Sequence, residues 1–265
     1  MHVLLSIVSA VVYSAAWAML LRSIAKPGKK RLPATLLLVA IGIALHGATI
    51  ATAIVVPEGY RLGLFQLFSL FACLVCLIVF FSGLRKPLHN VFVLLLPISI
   101  IAVLLGDIGS DSVNLSTSLA TGMLTHVLSS VLAYCVLTIA SLQALLIAYQ
   151  HQKLRRKHPA GVIGWLPPLE TMERLLFELV WVGEVMLTIA IITGAIFIED
   201  MFAQHLAHKT IFSLLSWLIF AVLLVGRHTV GWRGPAAIRW TLGGFAALML
   251  AYFGTKVVLE LILKV

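Results

Sequence analysis

Long apolar runs separated by short polar connections dominate this sequence. A transmembrane helix needs about 20 mostly apolar residues to cross about 30 Å of hydrocarbon. Helices are expected rather than strands, because lipid leaves each backbone amide to be satisfied within its own segment or in a closed barrel, and these runs are too continuous for barrel strands. The pattern predicts eight spans, at residues 3–22, 34–56, 62–84, 88–106, 119–149, 175–198, 209–227 and 237–263.

The composition agrees with a membrane protein. Hydrophobic residues make up 61% of the 265 residues and charged residues only 11%, which is too much apolar surface for a soluble domain to bury. No repeat or separate soluble domain is visible, so the sequence predicts an all-α fold with one integral-membrane domain over residues 1–265. Pro97 is expected to interrupt the fourth span.

Basic residues indicate how the spans are oriented. Most of the 19 Lys and Arg residues fall in the connections after the first, third, fifth and seventh spans, whereas the other connections are acidic or mixed. The positive-inside rule places the basic side in the cytoplasm, so both termini are predicted to lie outside. The basic residues do not belong to a soluble domain, so nucleic acid is not expected as a partner. The expected partner is the lipid bilayer.

Two histidines stand alone inside predicted spans. His46 lies in the second span and His126 in the fifth, and each follows a glycine one turn earlier, Gly42 and Gly122. Small residues let a neighbouring helix or a flat ligand approach the backbone closely. Helical rise places His46 about 15 Å and His126 about 10 Å below the outer ends of their spans, so both fit one layer. Two neutral imidazoles at one depth could ligate a haem iron, or each could hydrogen-bond a neighbouring helix.

Three other polar residues on or near the membrane are candidates for function. His205 and His208 lie in the outer connection before the seventh span, where they could reach a ligand or simply be solvated. Glu184 lies well inside the sixth span. A charge at that depth costs about 3 kcal/mol or more, so this carboxyl is expected to be neutral, paired or beside a wet cavity. A proton-coupled carrier would use such a group.

The C-terminal half resembles the CcsA/CcmC-type cytochrome c assembly family. The stretches that carry the resemblance are MLTHVLSSVLAY, HKTIFSLLSWLIFAVLLVGR, GWRG and YFG. The segment LPPLETMERLLFELVWVG, together with His46, is similar to the HemX/YpjD-like branch, and the whole match runs from about residue 34 to the end. The resemblance implies a multi-pass protein of the bacterial inner membrane that handles haem. It places His126 on a haem-ligating position.

The sequence also departs from that family. Members that deliver haem carry a tryptophan-rich WWD segment in the outer connection before the seventh helix, and here that connection reads GAIFIEDMFAQHLAHK. The family's membrane histidine in the seventh helix is replaced by Val225, and the outer histidine after YFG is missing. The resemblance therefore implies haem binding without implying haem delivery.

These observations lead to three hypotheses. The first is a non-enzymatic protein that binds haem b through His46 and His126, with His208 or His205 as an outer alternative, and with Trp217 and Tyr134 packed nearby. The second is a regulatory scaffold without a cofactor, because HemX-type relatives are associated with control of haem synthesis. Its contact surface for a protein partner would be the cytoplasmic segment 150–174. The third is a small-solute or proton-coupled carrier that uses Glu184.

Overall fold

The computed structural model describes residues 2–25, 32–56, 59–62, 64–106, 113–115, 121–156, 166–197 and 204–251. Within these residues the chain is almost entirely helical, which confirms the all-α prediction. The helices are α1 (His2–Ala25), α2 (Leu32–Ile54), α3 (Leu64–Gly83), α4 (Phe92–Leu105), α5 (Thr121–Arg155), α6 (Leu169–Phe197), α7 (Gln204–Thr229) and α8 (Pro235–Met249).

Six of the described helices are long and apolar enough to cross a membrane, namely α1, α2, α3, α5, α6 and α7. Helix α4 has 14 residues and α8 has 15, so their described parts are shorter than a full span. The predicted eighth span ends at residue 263, and its residues 252–263 lie outside the described part. A multi-pass membrane protein is confirmed, whereas eight crossings with both termini outside stay a prediction.

The chain forms two compact units. The first comprises Met1–Ser118 with Arg156–Pro167, and the second comprises Leu119–Arg155 with Pro168–Val265. In the first unit α1 packs against α2 and α4, while α3 packs against the same two helices. In the second unit α5 packs along α6 and also contacts α8, and α7 contacts both α6 and α8. One continuous membrane domain remains a prediction.

A small antiparallel sheet joins the connections of the first unit. It consists of β1 (Val55–Val56), β2 (Gly59–Leu62) and β3 (Val113–Leu115), in that order. The central strand pairs Tyr60 with Val55 on one side and with Leu115 on the other. The sheet therefore ties the α2–α3 connection to the segment that follows α4. Strands of two to four residues are too short to show an alternating pattern, which is why the sequence did not reveal them.

Helix α4 continues through Pro97, contrary to the interruption predicted from the sequence. Proline has no N–H, so the carbonyl of Val93, four residues earlier, loses its helical partner. The indole Nε1 of Trp17 in α1 donates a hydrogen bond to that carbonyl at 3.0 Å. A side chain from another helix thus satisfies the backbone group that proline leaves open, as a nonpolar environment requires.

Replacing Trp17 with phenylalanine should therefore destabilise the protein by about 1–3 kcal/mol, because it leaves the Val93 carbonyl without a partner. Thermal unfolding in mild detergent measures the loss. The control is the same change in a Pro97→Ala background, where an N–H at residue 97 restores the helical bond and the loss should shrink. An equal loss in both backgrounds would show that Trp17 contributes packing alone.

Candidate functional site

His46 is the centre of a buried polar cluster in the first unit. Its side chain is fully buried, with Nε2 2.9 Å from the Ser69 hydroxyl of α3 and Nδ1 3.4 Å from the Tyr13 hydroxyl of α1. In a neutral imidazole one nitrogen donates and the other accepts, and either tautomer suits two hydroxyl partners. His46 thereby connects α2 to two neighbouring helices.

The small-residue face around His46 is filled by protein. A Cβ added at Gly42 would lie 2.5 Å from the ring of Tyr13, so glycine is needed for α1 to approach α2 this closely. The hydroxyl of Ser9 donates a hydrogen bond to the Gly42 carbonyl at 3.2 Å and strengthens the same contact. Gly42 therefore accommodates a neighbouring helix in this unit, which is one of the two explanations that the sequence left open.

A cavity of about 10 Å³ lies beside Ser69 in the first unit. Its polar lining includes Thr49 and Gln66, and Gln66 also donates to the Gly106 carbonyl at 3.1 Å. This volume holds about one water molecule. The polar cluster around His46 therefore offers space for a single water within its own unit.

His126 has a different environment, in the second unit. Its Nδ1 lies 2.8 Å from the carbonyl oxygen of Ala190 in α6. A carbonyl can only accept, so Nδ1 must carry the proton, and in the neutral ring Nε2 then carries the lone pair. No hydrogen-bond partner for Nε2 is found within the described ranges. The residue as a whole is half-buried.

The neighbouring contacts on α5 involve the backbone around His126. Gly122, one turn earlier, is in close contact with the ring of Phe197 at the end of α6. The hydroxyl of Ser130 donates to the His126 carbonyl at 2.7 Å, and that of Ser129 does so at 3.1 Å. Both hydroxyls therefore donate to their own helix, and only their oxygen lone pairs remain for a ligand.

Trp217 and Tyr134 also form contacts between helices of the second unit. The Trp217 indole in α7 donates to the Thr188 hydroxyl of α6 at 2.9 Å. The Tyr134 hydroxyl in α5 donates to the Leu248 carbonyl of α8 at 2.6 Å. Their polar atoms therefore connect the four-helix unit, which agrees with a packing role.

The outer histidines lie at the start of α7. His208 is exposed, and His205 belongs to the first turn of the helix. Val225, where the related family has a membrane histidine, is 60% exposed near the other end of α7. Of the four histidines proposed for the site, His126, His205 and His208 belong to the second unit and His46 to the first. The pairing of His46 with His126 stays a prediction.

Glu184 is a buried carboxyl in α6. Its side chain is 7% exposed, and neither carboxyl oxygen has a hydrogen-bond partner within the described part of the chain. On the same helix, Thr188 donates to the Glu184 backbone carbonyl at 2.8 Å, but this contact leaves the carboxyl unsatisfied. Buried polar groups are nearly always hydrogen-bonded, so this carboxyl is an exception that needs an explanation.

The chain matches a known protein family along most of its length. The sequence profile described as Cytochrome C assembly protein matches residues 31–263, which is most of the chain. The chain is a member of this family. It is also a multi-pass protein of the bacterial inner membrane, as its long apolar helices and its inner-membrane relatives show.

Individual relatives of this family member match about half of its length. It is 36% identical over 141 residues to "Inner membrane protein YpjD" of Escherichia coli (strain K12), covering 53% of each chain. It is 28% identical over 142 residues to "Cytochrome c biogenesis protein CcsA" of Chlamydomonas reinhardtii, covering 52% of this chain and 38% of that protein. No solved structure matches the chain.

Proposed function

We propose that this family member is a non-catalytic haem-binding protein, with haem b as its cofactor and His126 as an iron ligand. The observation that carries the proposal is the hydrogen bond from Nδ1 of His126 to the Ala190 carbonyl. A histidine that ligates a metal almost always donates its other ring N–H to such an acceptor, which fixes the tautomer and orients the ring. Nε2 of His126 thus fits the role of an axial ligand.

Bound haem would supply a redox-active iron with strong absorption near 400 nm. Holding it requires a neutral imidazole whose free nitrogen faces the ligand. The Ala190 carbonyl accepts the Nδ1 proton of His126 and so leaves the lone pair on Nε2. It does so without the help of a charged group, which suits the membrane interior. Because the connection before α7, GAIFIEDMFAQHLAHK, contains no tryptophan, we propose that the protein binds haem without transferring it to apocytochrome.

The second axial ligand is proposed from the remaining histidines. His46 fits the depth predicted from helical rise, but it would have to give up its contact with Ser69 or with Tyr13 to bind iron. His208 belongs to the same unit as His126 and is exposed. Iron could thus be held by His126 with either histidine, and His205 is the further outer alternative.

The absorption spectrum of the protein purified in mild detergent from haem-replete cells tests this function. We expect a Soret band whose intensity corresponds to one haem per chain. A colourless protein that stays colourless after hemin is added would overturn the proposal. The regulatory hypothesis, with segment 150–174 as the surface for a protein partner, would then be the one to pursue.

The buried carboxyl of Glu184 favours a second candidate function, a proton-coupled carrier. An unpartnered carboxyl inside a membrane protein marks a proton or ion pathway more often than a structural element. Solute uptake into vesicles that contain the purified protein would test it. A carrier should lose coupling to the proton gradient in Glu184→Gln, whereas a haem-binding protein should keep its spectrum.

A further inference from the structure

An open cleft of about 480 Å³ lies at one end of the second unit. It is found where α5 ends and where α6 and α8 begin, and the charge pattern predicts that this end faces the cytoplasm. Sites for small molecules typically have volumes of about 300–1,000 Å³. We call it the helix-end cleft, and its polar lining consists of His151, Glu170, Glu173, Arg233 and Gly234.

Glu173 holds one wall of the helix-end cleft in place. Its side chain is 7% exposed, and its two carboxyl oxygens accept hydrogen bonds from Arg233 Nε at 3.2 Å and from the Gly234 N–H at 3.0 Å. Gly234 has a φ of +52°, a conformation that favours glycine, and it precedes Pro235 at the start of α8. Each oxygen of the Glu173 carboxylate therefore accepts one hydrogen bond, and together the two bonds orient Arg233 and the start of α8.

Two nitrogen-bearing groups remain available in the helix-end cleft. Arg233 binds Glu173 through Nε, its side chain is 53% exposed, and its two terminal nitrogens have no hydrogen-bond partner among the residues that the structure describes. His151 is half-buried and has no hydrogen-bond partner in the described ranges. Its Nε2 lies 3.8 Å from the position that a Cβ on Gly234 would occupy, and Gly234 directly follows Arg233. Paired donors of this kind suit a phosphate group.

The helix-end cleft also contains a negative charge, so a simple anion does not match its lining. Glu170 also lines the helix-end cleft and is exposed, so its carboxylate is available and would repel a bare phosphate. A ligand that carries a phosphate and an ammonium group together would satisfy both sides. The 29 residues of α6 extend over about 43 Å, longer than the hydrocarbon core of about 30 Å, so its first turn can reach the lipid head groups.

We propose that the helix-end cleft binds the phosphoethanolamine head group of phosphatidylethanolamine. The phosphate contacts Arg233 and His151, and the ammonium contacts Glu170. Glu173 is a positioning residue, since it anchors Nε of Arg233 and leaves the other nitrogens for the ligand. This site is independent of the haem site, because none of its residues takes part in the contacts of His126.

Native mass spectrometry of the full-length protein tests the proposal. Phosphatidylethanolamine, phosphatidylglycerol and phosphatidylcholine with identical acyl chains are added separately, since the last has a quaternary ammonium that cannot donate hydrogen bonds. We expect phosphatidylethanolamine to bind best. His151→Ala should weaken its binding roughly tenfold, as expected for the loss of a hydrogen bond to a charged group. Glu170→Gln should remove the preference over phosphatidylcholine.

The matched control is Arg174→Gln, which removes an exposed charge from the same end of α6 without touching the lining. It should leave lipid binding unchanged. Free phosphoethanolamine without acyl chains is added in a separate arm, and binding there that is sensitive to His151→Ala would identify a soluble source of the same ligand. Equal binding of all three lipids, unaffected by His151→Ala and Glu170→Gln, would overturn the proposal.

Discussion

His126→Ala should lower the affinity of the purified protein for hemin by at least about 100-fold. Loss of a partner that only orients a metal ligand typically costs 10–100-fold in affinity, and here the ligand itself is removed. The fold should be retained, because His126 makes one side-chain hydrogen bond to a backbone carbonyl, and the ring is only half-buried. Titration of hemin, followed in the Soret region, measures the effect.

His228→Ala is the matched control, since His228 is exposed near the end of α7. It should bind hemin like the wild type. His46→Ala separates two roles: an axial ligand would lower the affinity as His126→Ala does, whereas a structural residue would lower thermal stability and spare the affinity. Unchanged hemin binding in His126→Ala would contradict the assignment of this residue.

Replacing Glu184 with leucine should stabilise the protein, by about 1–3 kcal/mol. A buried polar group without a hydrogen bond carries a desolvation cost of that size, and an apolar side chain of similar size removes it. Both oxygens of Glu184 are unpartnered within the described residues. Most point mutations lower the unfolding temperature, so an increase in that temperature would by itself support the prediction.

Glu173→Leu provides the comparison on the same helix. Glu173 is as buried as Glu184, but both of its oxygens accept hydrogen bonds, so its replacement should destabilise the protein by about 1–3 kcal/mol. Thermal unfolding of both variants in one detergent shows whether each change raises or lowers the unfolding temperature. Destabilisation by Glu184→Leu as well would show that the carboxyl has a bound partner, which would favour the carrier hypothesis.

The helices were predictable because the signal for them is long and local. Runs of about 20 apolar residues define the spans, and five predicted runs fall on the observed helices α1, α2, α3, α5 and α7, although α5 continues to Arg155 beyond the predicted 149 and α7 begins at Gln204 before the predicted 209. The sixth was predicted to start at residue 175, but α6 begins at Leu169. Its first turns contain Glu170, Glu173 and Arg174, and these charges kept the first turns outside a span defined by hydrophobicity.

The continuity of α4 could not be predicted, because its cause is distant in sequence. Pro97 is a local signal for a break, and the sequence gives no indication that Trp17, in another helix, binds the carbonyl that proline leaves open. The same holds for Tyr13 and Ser69, which contact His46 from separate helices. Contacts of this kind depend on how helices pack, and hydrophobic periodicity carries no such information.

The candidate site was partly predictable. Isolated histidines in apolar runs are visible in the sequence, because a polar group in the membrane needs a reason. The acceptor for His126 is not visible, since it is the backbone carbonyl of Ala190, and any residue type presents the same group. Glu173 and Arg233 were likewise missed as a pair, because 60 positions separate them in the chain.

Rescue of His126→Gly by free imidazole is the measurement that tests the central claim most directly. Glycine removes the ring and leaves a space in which imidazole can replace it as an iron ligand. The account predicts that hemin added to this variant gives no bound Soret band in buffer, and that the band appears when imidazole is supplied. A Soret band that is already present without imidazole, or absent with it while the wild type binds hemin, would contradict His126 as the ligand.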